Sequence, residues 1–508
     1  MDQLPTSLLA DSHDDKGSSN TVEDQLNVAS SPVLSDAEQR RLYRKIDMRL
    51  LPILTVMLLC SFLDRGNIGN AKLQGLTTQL HLTGSKYNNV LALYFLPYIL
   101  LECPASLVMK RLRPSRWLPG ITIAWGIVMT LMGLVTNYAQ LVGVRVALGA
   151  VEAGLFPGAC WYLSMWYPRH ALQFRIALFW GGATIAGAFS GALAFAISFM
   201  AGEGGKEGWS WTFIIEGLAT IIVGLVALSV MVDFPDTASF LTAGERQYVL
   251  EATKTDSSAS GEDGAFHWRY ILAAFIDWKT WTHAVIFVSH VGPLYGITFF
   301  LPTIINSFGF SAARSQLLTV PPYVFAATLG VTFAWLSDAH KLRWPVVLAG
   351  HALCALGYGI QVSNAPFAAK YFGTFACVAG SYGVFPGAIS WIANNTAGHY
   401  KRGTAIAINV AVGTSAGAIA SILFREEDTP RYVLGNAIEL MFVGLGTLSL
   451  AVTVFAYSRI NAWRDRELAR LNAWRDRELA RLKEQGEVHD AAPWRRQGDW
   501  APDFRYTL

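Results

Sequence analysis

Charge is scarce in this chain of 508 residues: Asp, Glu, Lys and Arg make up 15% of it, against about 25% in an ordinary soluble domain. That is too little ionised surface to wrap a water-soluble globule of this size. The charge present is clustered, and the stretch 117–141 has no ionisable side chain except the phenol of Tyr138. Cysteine is scarce too. Cys60, Cys103, Cys160, Cys354 and Cys377 all sit in apolar segments without close pairing, which argues against a disulfide framework or a cysteine metal site. They read as small core residues. The net charge of +3 and the absence of a basic stripe with interleaved aromatics exclude nucleic acid as a partner. The sequence has no phosphate-cradling loop, nucleophile elbow or helix with paired histidines. It therefore reads as a non-enzyme with no catalytic residues, no metal and no cofactor. The start of the chain lacks the basic flank and short apolar stretch of a cleavable secretory signal. Residues 1–45 form a polar, acidic, Ser-rich tail that is expected to be disordered.

What is abundant is apolar sequence, at 52% of residues. A bilayer core asks for about 20 apolar residues per helix. Segments of that kind fall near 49–70, 88–109, 117–136, 139–164, 174–200 and 210–232, and again near 281–305, 316–337, 344–363, 369–394, 403–424 and 432–457. The spacing predicts an all-α membrane protein with twelve transmembrane helices in two six-helix bundles, 46–235 and 276–458. A polar loop, 236–275, joins them, and a tail follows from 459 to 508. Basic residues in short loops set orientation. Arg40, Arg41, Arg44, Lys45 and Arg49 precede the first span. The clusters Lys110–Arg116, Arg169/Arg175, Lys341/Arg343 and Lys401/Arg402 fall on the same side. Both termini and the central loop are therefore expected in the cytosol.

Ionised groups inside spans cost roughly 2.5–3.5 kcal/mol each near a helix centre and usually mark a pathway or a partner. The first span carries Asp64 next to Arg65. Neighbours on a helix point about 100° apart, so one can face a cavity and the other an adjacent helix; an ion pair near the membrane edge is the alternative. The fourth span carries Arg145 and Glu152, about two turns apart and so on one face. A carboxylate there is pushed one way by desolvation and the other by a nearby cation, which suits a proton carrier. A structural Arg–Glu brace is the alternative. Glu102 and Glu216 read as braces of helix ends. His290 and Tyr295 in span seven, with Asn394 and Asn395 at the end of span ten, are candidates to line a cavity, although His290 also reads as an ordinary buried histidine.

Several segments together carry a resemblance. They are Leu63-Asp64-Arg65-Gly66-Asn67-Ile68, the stretch from Arg145 through Glu152 to Pro157-Gly158, Trp211 to Gly217, Phe300-Leu301-Pro302, Trp391 to Asn395, Lys401-Arg402, and the ending Asp503 to Leu508. From about Ile46 to Arg459 the chain resembles the fungal allantoate-permease-like and nicotinate-transporter-like proteins. These form part of the anion:cation symporter branch of the major facilitator superfamily. The resemblance implies a monomeric plasma-membrane symporter that couples protons to uptake of a small carboxylate such as nicotinate, allantoate or pantothenate. It implies Asp64 and Glu152, with Arg145, as proton-coupling residues, and Arg65 as the holder of the substrate carboxylate through its planar fork. It implies Asp338, Lys341 and Arg343 as a gate between spans eight and nine. The corresponding loop after span two keeps only its basic part, and Ala171 stands where relatives have an acid. Export of a fungal metabolite, and nutrient sensing without transport, are the alternative functions. Separately, residues 461–471 recur unchanged at 472–482. Eleven residues is close to three helical turns, so the copy lengthens a charged tail helix with little rotation of its face.

Overall fold

The computed structural model describes residues 34–258, 268–340, 342–428 and 431–485. The main helices are α1 (Asp36–Leu73), α2 (Lys86–Arg111), α3 (Pro114–Met132), α4 (Tyr138–Glu152), α5 (Leu155–Trp166), α6 (Arg169–Ser198) and α7 (Gly208–Val230). Two connecting helices follow, α8 (Ala243–Ser258) and α9 (Trp268–Ile276). Then come α10 (Trp278–Asn306), α11 (Val320–His340), α12 (Trp344–Val362), α13 (Phe367–Asn394), α14 (His399–Leu423) and α15 (Val433–Gln485). Ten spans, with α4 and α5 together as one, are long and apolar enough to cross a bilayer. Helices α2 and α3 fill the two remaining places, giving an all-α membrane protein of twelve spans.

The packing repeats. In the first set of six, α1 lies against α6 and α7, α2 against α4, and α3 against α4 and α7. In the second set, α10 lies against α14 and α15, α11 against α13, and α12 against α13 and α15. Contacts between the sets obey the same rule: α2 meets α14 as α11 meets α6, while α1 meets α10. Two parallel repeats related by an axis along the membrane normal give this pattern. Side chains repeat as well. Asp47 near the start of α1 pairs with Arg175 on α6 at 3.1 Å, and Asp277 just before α10 pairs with Lys401 on α14 at 2.9 Å. Both ties lie on the face where α1 starts, called the inner face below.

Four features depart from the expected layout. Residues 36–45, expected to be disordered, are helical; the start is set by a capping box in which Ser35 accepts the Glu38 amide and Glu38 accepts the Ser35 N–H at 2.9 Å. The rest of that tail, residues 1–33, lies outside the described residues. The central connection holds two helices instead of a plain loop. Thr242 and Glu245 cap α8, and α9 buries Ile271 and Ala274 while exposing Trp268, Leu272, Phe275 and Ile276, as expected for a helix lying at a membrane surface. Span four is broken just after Glu152, at Ala153-Gly154. Gly154 has φ +90°, and a Cβ there would sit 2.6 Å from the Cβ of Ala105, so only glycine fits the break. Last, α15 runs 53 residues without interruption through both copies of the duplicated segment.

Candidate functional site

Helix α1 carries Asp64 and Arg65 in opposite directions. Asp64, fully buried, accepts a hydrogen bond from the Trp125 indole of α3 at 2.9 Å. Arg65 turns to the axis between the two bundles. Its Nη2 and Nε donate to Glu152 Oε1 at 2.7 and 3.1 Å, and its Nη1 donates to the hydroxyl of Tyr295 on α10 at 2.6 Å. The alternative reading, a brace between Arg145 and Glu152, is therefore not what forms. The partner of Glu152 is Arg65, and the Nε and Nη2 of the buried Arg145 have no hydrogen-bond partner among the described residues. Glu152 is further held by the hydroxyl of Tyr94 at 2.6 Å and by that of Ser61. Removing one member of such a buried pair leaves an uncompensated charge, at a cost of about 3–5 kcal/mol.

Aromatic rings enclose the cation. The Arg65 guanidinium lies 4.9 Å from the ring of Phe62, 5.1 Å from Tyr98, 5.8 Å from Tyr94 and 5.9 Å from Tyr295, within cation–π range. The gap beside it, bounded by Arg65, Tyr98, Phe156, Trp180, Tyr295 and Phe385, measures about 20 Å³; a single water needs about 10–15 Å³. One turn toward the inner face, Trp180 of α6 stacks on Phe385 of α13 with ring centres 3.4 Å apart, and its indole donates to the Tyr382 carbonyl at 3.2 Å. Toward the outer face, a polar layer links Asn67 to Glu216 and Ser190 to both Asn67 and Asn70 at 2.8 Å. Beyond it the bundles are joined by Asn88 donating to the Phe424 carbonyl at 3.3 Å. The site is closed on both sides.

Of the expected site residues, the structure gathers Asp64, Arg65, Arg145, Glu152 and Tyr295 around one interior. It does not bring His290, Asn394 or Asn395 there. His290 stacks on His351 with ring centres 4.5 Å apart, inside the second bundle. Asn395 bonds back to its own helix at the Trp391 carbonyl at 2.9 Å, and Asn394 is half-buried beside it at the inner end of α13. Of the expected gate, Arg343 donates to the Ser337 hydroxyl at 2.9 Å; Lys341 and the side chain of Asp338 lie outside the described residues. Glu216 does more than brace a helix end, because it reaches Asn67 across to α1. Reading the sequence missed Ser61, Tyr94, Trp125, Trp180 and Phe385. Tyr94 and Tyr98 stand four apart on one helix face, and that signal was readable.

The described residues contain no group of three or more His, Cys, Asp and Glu side chains able to hold a metal. What the arrangement offers at the axis is the Arg65 cation, a carboxylate that competes for it, and flat apolar walls. The pattern of the Major Facilitator Superfamily matches residues 54–421. An uncharacterised transporter of Schizosaccharomyces pombe is 34% identical over 92% of this chain and 90% of its own length. The high-affinity nicotinic acid transporter of Saccharomyces cerevisiae is 32% identical over 85% and 80% respectively. Among solved structures, that of the proton:xylose symporter XylE superposes with a TM-score of 0.60, at 15% identity, over 80% of this chain and 95% of that one; this likeness speaks for the fold alone. With twelve spans in two repeated sets and a buried charged site on the axis between them, the chain belongs to the major facilitator superfamily of membrane transporters.

Proposed function

We propose that this transporter is a proton-coupled symporter that takes up a small organic carboxylate, with Arg65 as the anion-binding group and Glu152 as the proton carrier. The observation that carries this reading is that Glu152 already occupies the guanidinium fork of Arg65. A substrate carboxylate must displace it. If Glu152 takes a proton, its hold on Arg65 weakens, and the substrate anion replaces the lost negative charge at the same cation. Charge at the site is then unchanged when a proton and a monoanion enter together, so the bundles can close around it without burying a net charge. Asp64 is the second acid of this set, and the cation of Arg145 near Asp64 and Glu152 biases both. Tyr295 reports occupancy of Arg65 to the second bundle. Asp338, Lys341 and Arg343 act at the inner gate. The protein sits in the plasma membrane with both termini in the cytosol, in accord with the basic loops.

Nicotinate is the first substrate to test, because a relative at 32% identity carries nicotinic acid. In proteoliposomes holding the full chain, an inside-alkaline pH gradient should drive accumulation of labelled nicotinate, with allantoate, pantothenate, biotin and tartrate as competitors. A protonophore should abolish it. Uptake of any of these acids that ignores both the gradient and the protonophore would sink the proton coupling.

A further inference from the structure

The second bundle contains an acid for which the mechanism above has no use. Glu439 lies on α15, is fully buried, and neither carboxyl oxygen has a hydrogen-bond partner among the described residues. It packs against the bare backbone of α10. Its Oε1 lies 2.6 Å from where a Cβ on Gly296 would sit, and its Oε2 lies 3.1 Å from the same point on Gly292. Those glycines are one turn apart, so any side chain there would collide with the carboxyl. The titratable groups that face Glu439 are Cys354 and Tyr358 from α12 and Cys377 from α13. On α10, His290 lies one half-turn from Gly292 but stacks on His351 of α12. Among the described residues no cation is paired with the carboxyl. A carboxylate with neither cation nor donor, at membrane depth, is too costly to keep its charge.

The place of Glu439 in the repeat makes this more than a buried oddity. Glu216 and Glu439 each follow an isoleucine on the last span of their bundle, and each faces the first span of that bundle. Glu216 has Asn67 as a donor; Glu439 has none among the described residues. The turn of α10 that Glu439 touches also carries Pro293, which cannot donate to the helix ladder, and the Pro293 carbonyl accepts from the Tyr358 hydroxyl at 2.6 Å. On the axis side of that turn stands Tyr295, bonded to Arg65. A charge on Glu439 would have to recruit water or a donor to its face of α10, where the Gly292-Pro293 turn already lacks one ladder hydrogen bond.

We propose that Glu439 is a proton-binding site of the second bundle, neutral in this closed state, and that it releases its proton when α10 bends away from Arg65. This rests on the proton-coupled reading above and adds one proton to each cycle. The test uses the full chain in proteoliposomes with an internal pH-sensitive dye and labelled nicotinate, comparing wild type with Glu439→Gln. The expected result is a proton-to-nicotinate ratio lower by one in the variant; an unchanged ratio overturns the proposal. Infrared difference spectra of the two proteins, without substrate, provide the arm that needs no transport. Loss of one protonated-carboxyl C=O band in Glu439→Gln is expected, and no lost band means Glu439 is ionised and the proposal fails. If wild type moves none of the five acids, the carboxylate reading fails, while the infrared comparison still decides the state of Glu439.

Discussion

Arg65 depends on two partners of different kinds, Glu152 at 2.7 Å and Tyr295 at 2.6 Å, and substitutions separate them. Arg65→Lys keeps the charge but loses the fork that meets a carboxylate with two parallel hydrogen bonds. A hydrogen bond to a charged group is worth about 1.5–3 kcal/mol, so half-saturation for the transported acid should rise about ten- to a hundredfold in Arg65→Lys. Initial uptake rates across a concentration series read this directly, and an unchanged half-saturation at normal expression removes Arg65 from the anion site. Tyr295→Phe should leave proton dependence intact and weaken binding by a smaller factor, because only one of three donor contacts of Arg65 is lost. The sequence made the intramembrane charges visible but not their pairing. Arg145 stands seven residues from Glu152 on the same helix, whereas Arg65 stands 87 residues away. Which cation wins depends on how closely α1 approaches α4, and spacing along one helix carries no information about that. Of the four rings around Arg65, Tyr295 stood out in the sequence and Tyr94 with Tyr98 carried a readable spacing, but Phe62 was hidden, since an aromatic in an apolar segment reads as core until a charge is found beside it.

At the scale of helices, long apolar stretches and loop charges were legible, and interruptions were not. The break between α4 and α5 follows from one backbone torsion at Gly154. Gly154→Ala forces a side chain into the left-handed region, at about 1–3 kcal/mol, and into Ala105 as well. Its thermal midpoint in detergent should fall clearly below wild type, whereas alanine at Gly143, where nothing lies within 4 Å, should not shift it downward. Helix α8 escaped notice because it is polar and docks through charge: Lys45 on α1 reaches Glu245 at 2.7 Å. Burial pushes the Glu245 carboxyl up, but the Lys45 hydrogen bond and the Thr242 amide outweigh it and hold the group below its usual 4.5. A lowered value means the tie is present at neutral pH and is lost as pH falls below 4.5 through the folded-state value. Spin labels on α1 and α8 should therefore separate in acid, and Glu245→Gln should separate them at neutral pH. An exposed pair of this kind contributes little to global stability, so the readout is distance and not melting.

For the whole molecule, twelve spans in two halves could be counted from the sequence, but which residues correspond between the halves could be read at one pair of loops only, because matching packing leaves only isolated matching residues. The ties Asp47–Arg175 and Asp277–Lys401 show it, and they differ in depth. The side chain of Asp277 is 4% exposed and that of Asp47 is 22% exposed. Asp277→Asn should therefore lower the thermal midpoint more than Asp47→Asn, and equal shifts would show that depth does not set the strength of these two ties. The tail is the reverse case. Deleting 472–482 removes about 16 Å of helix beyond the apolar span, so uptake should persist at the wild-type rate.

Counting onward from those paired aspartates, Arg65 and Tyr295 each stand 18 residues along, so the two groups that clasp hands at the centre are the same position used twice. A dimer made only of the first bundle would set guanidinium against guanidinium there, two like charges in hydrocarbon. By writing a phenol into one copy, the duplicated architecture keeps one guanidinium on the axis, and with it room for one monovalent acid in each crossing.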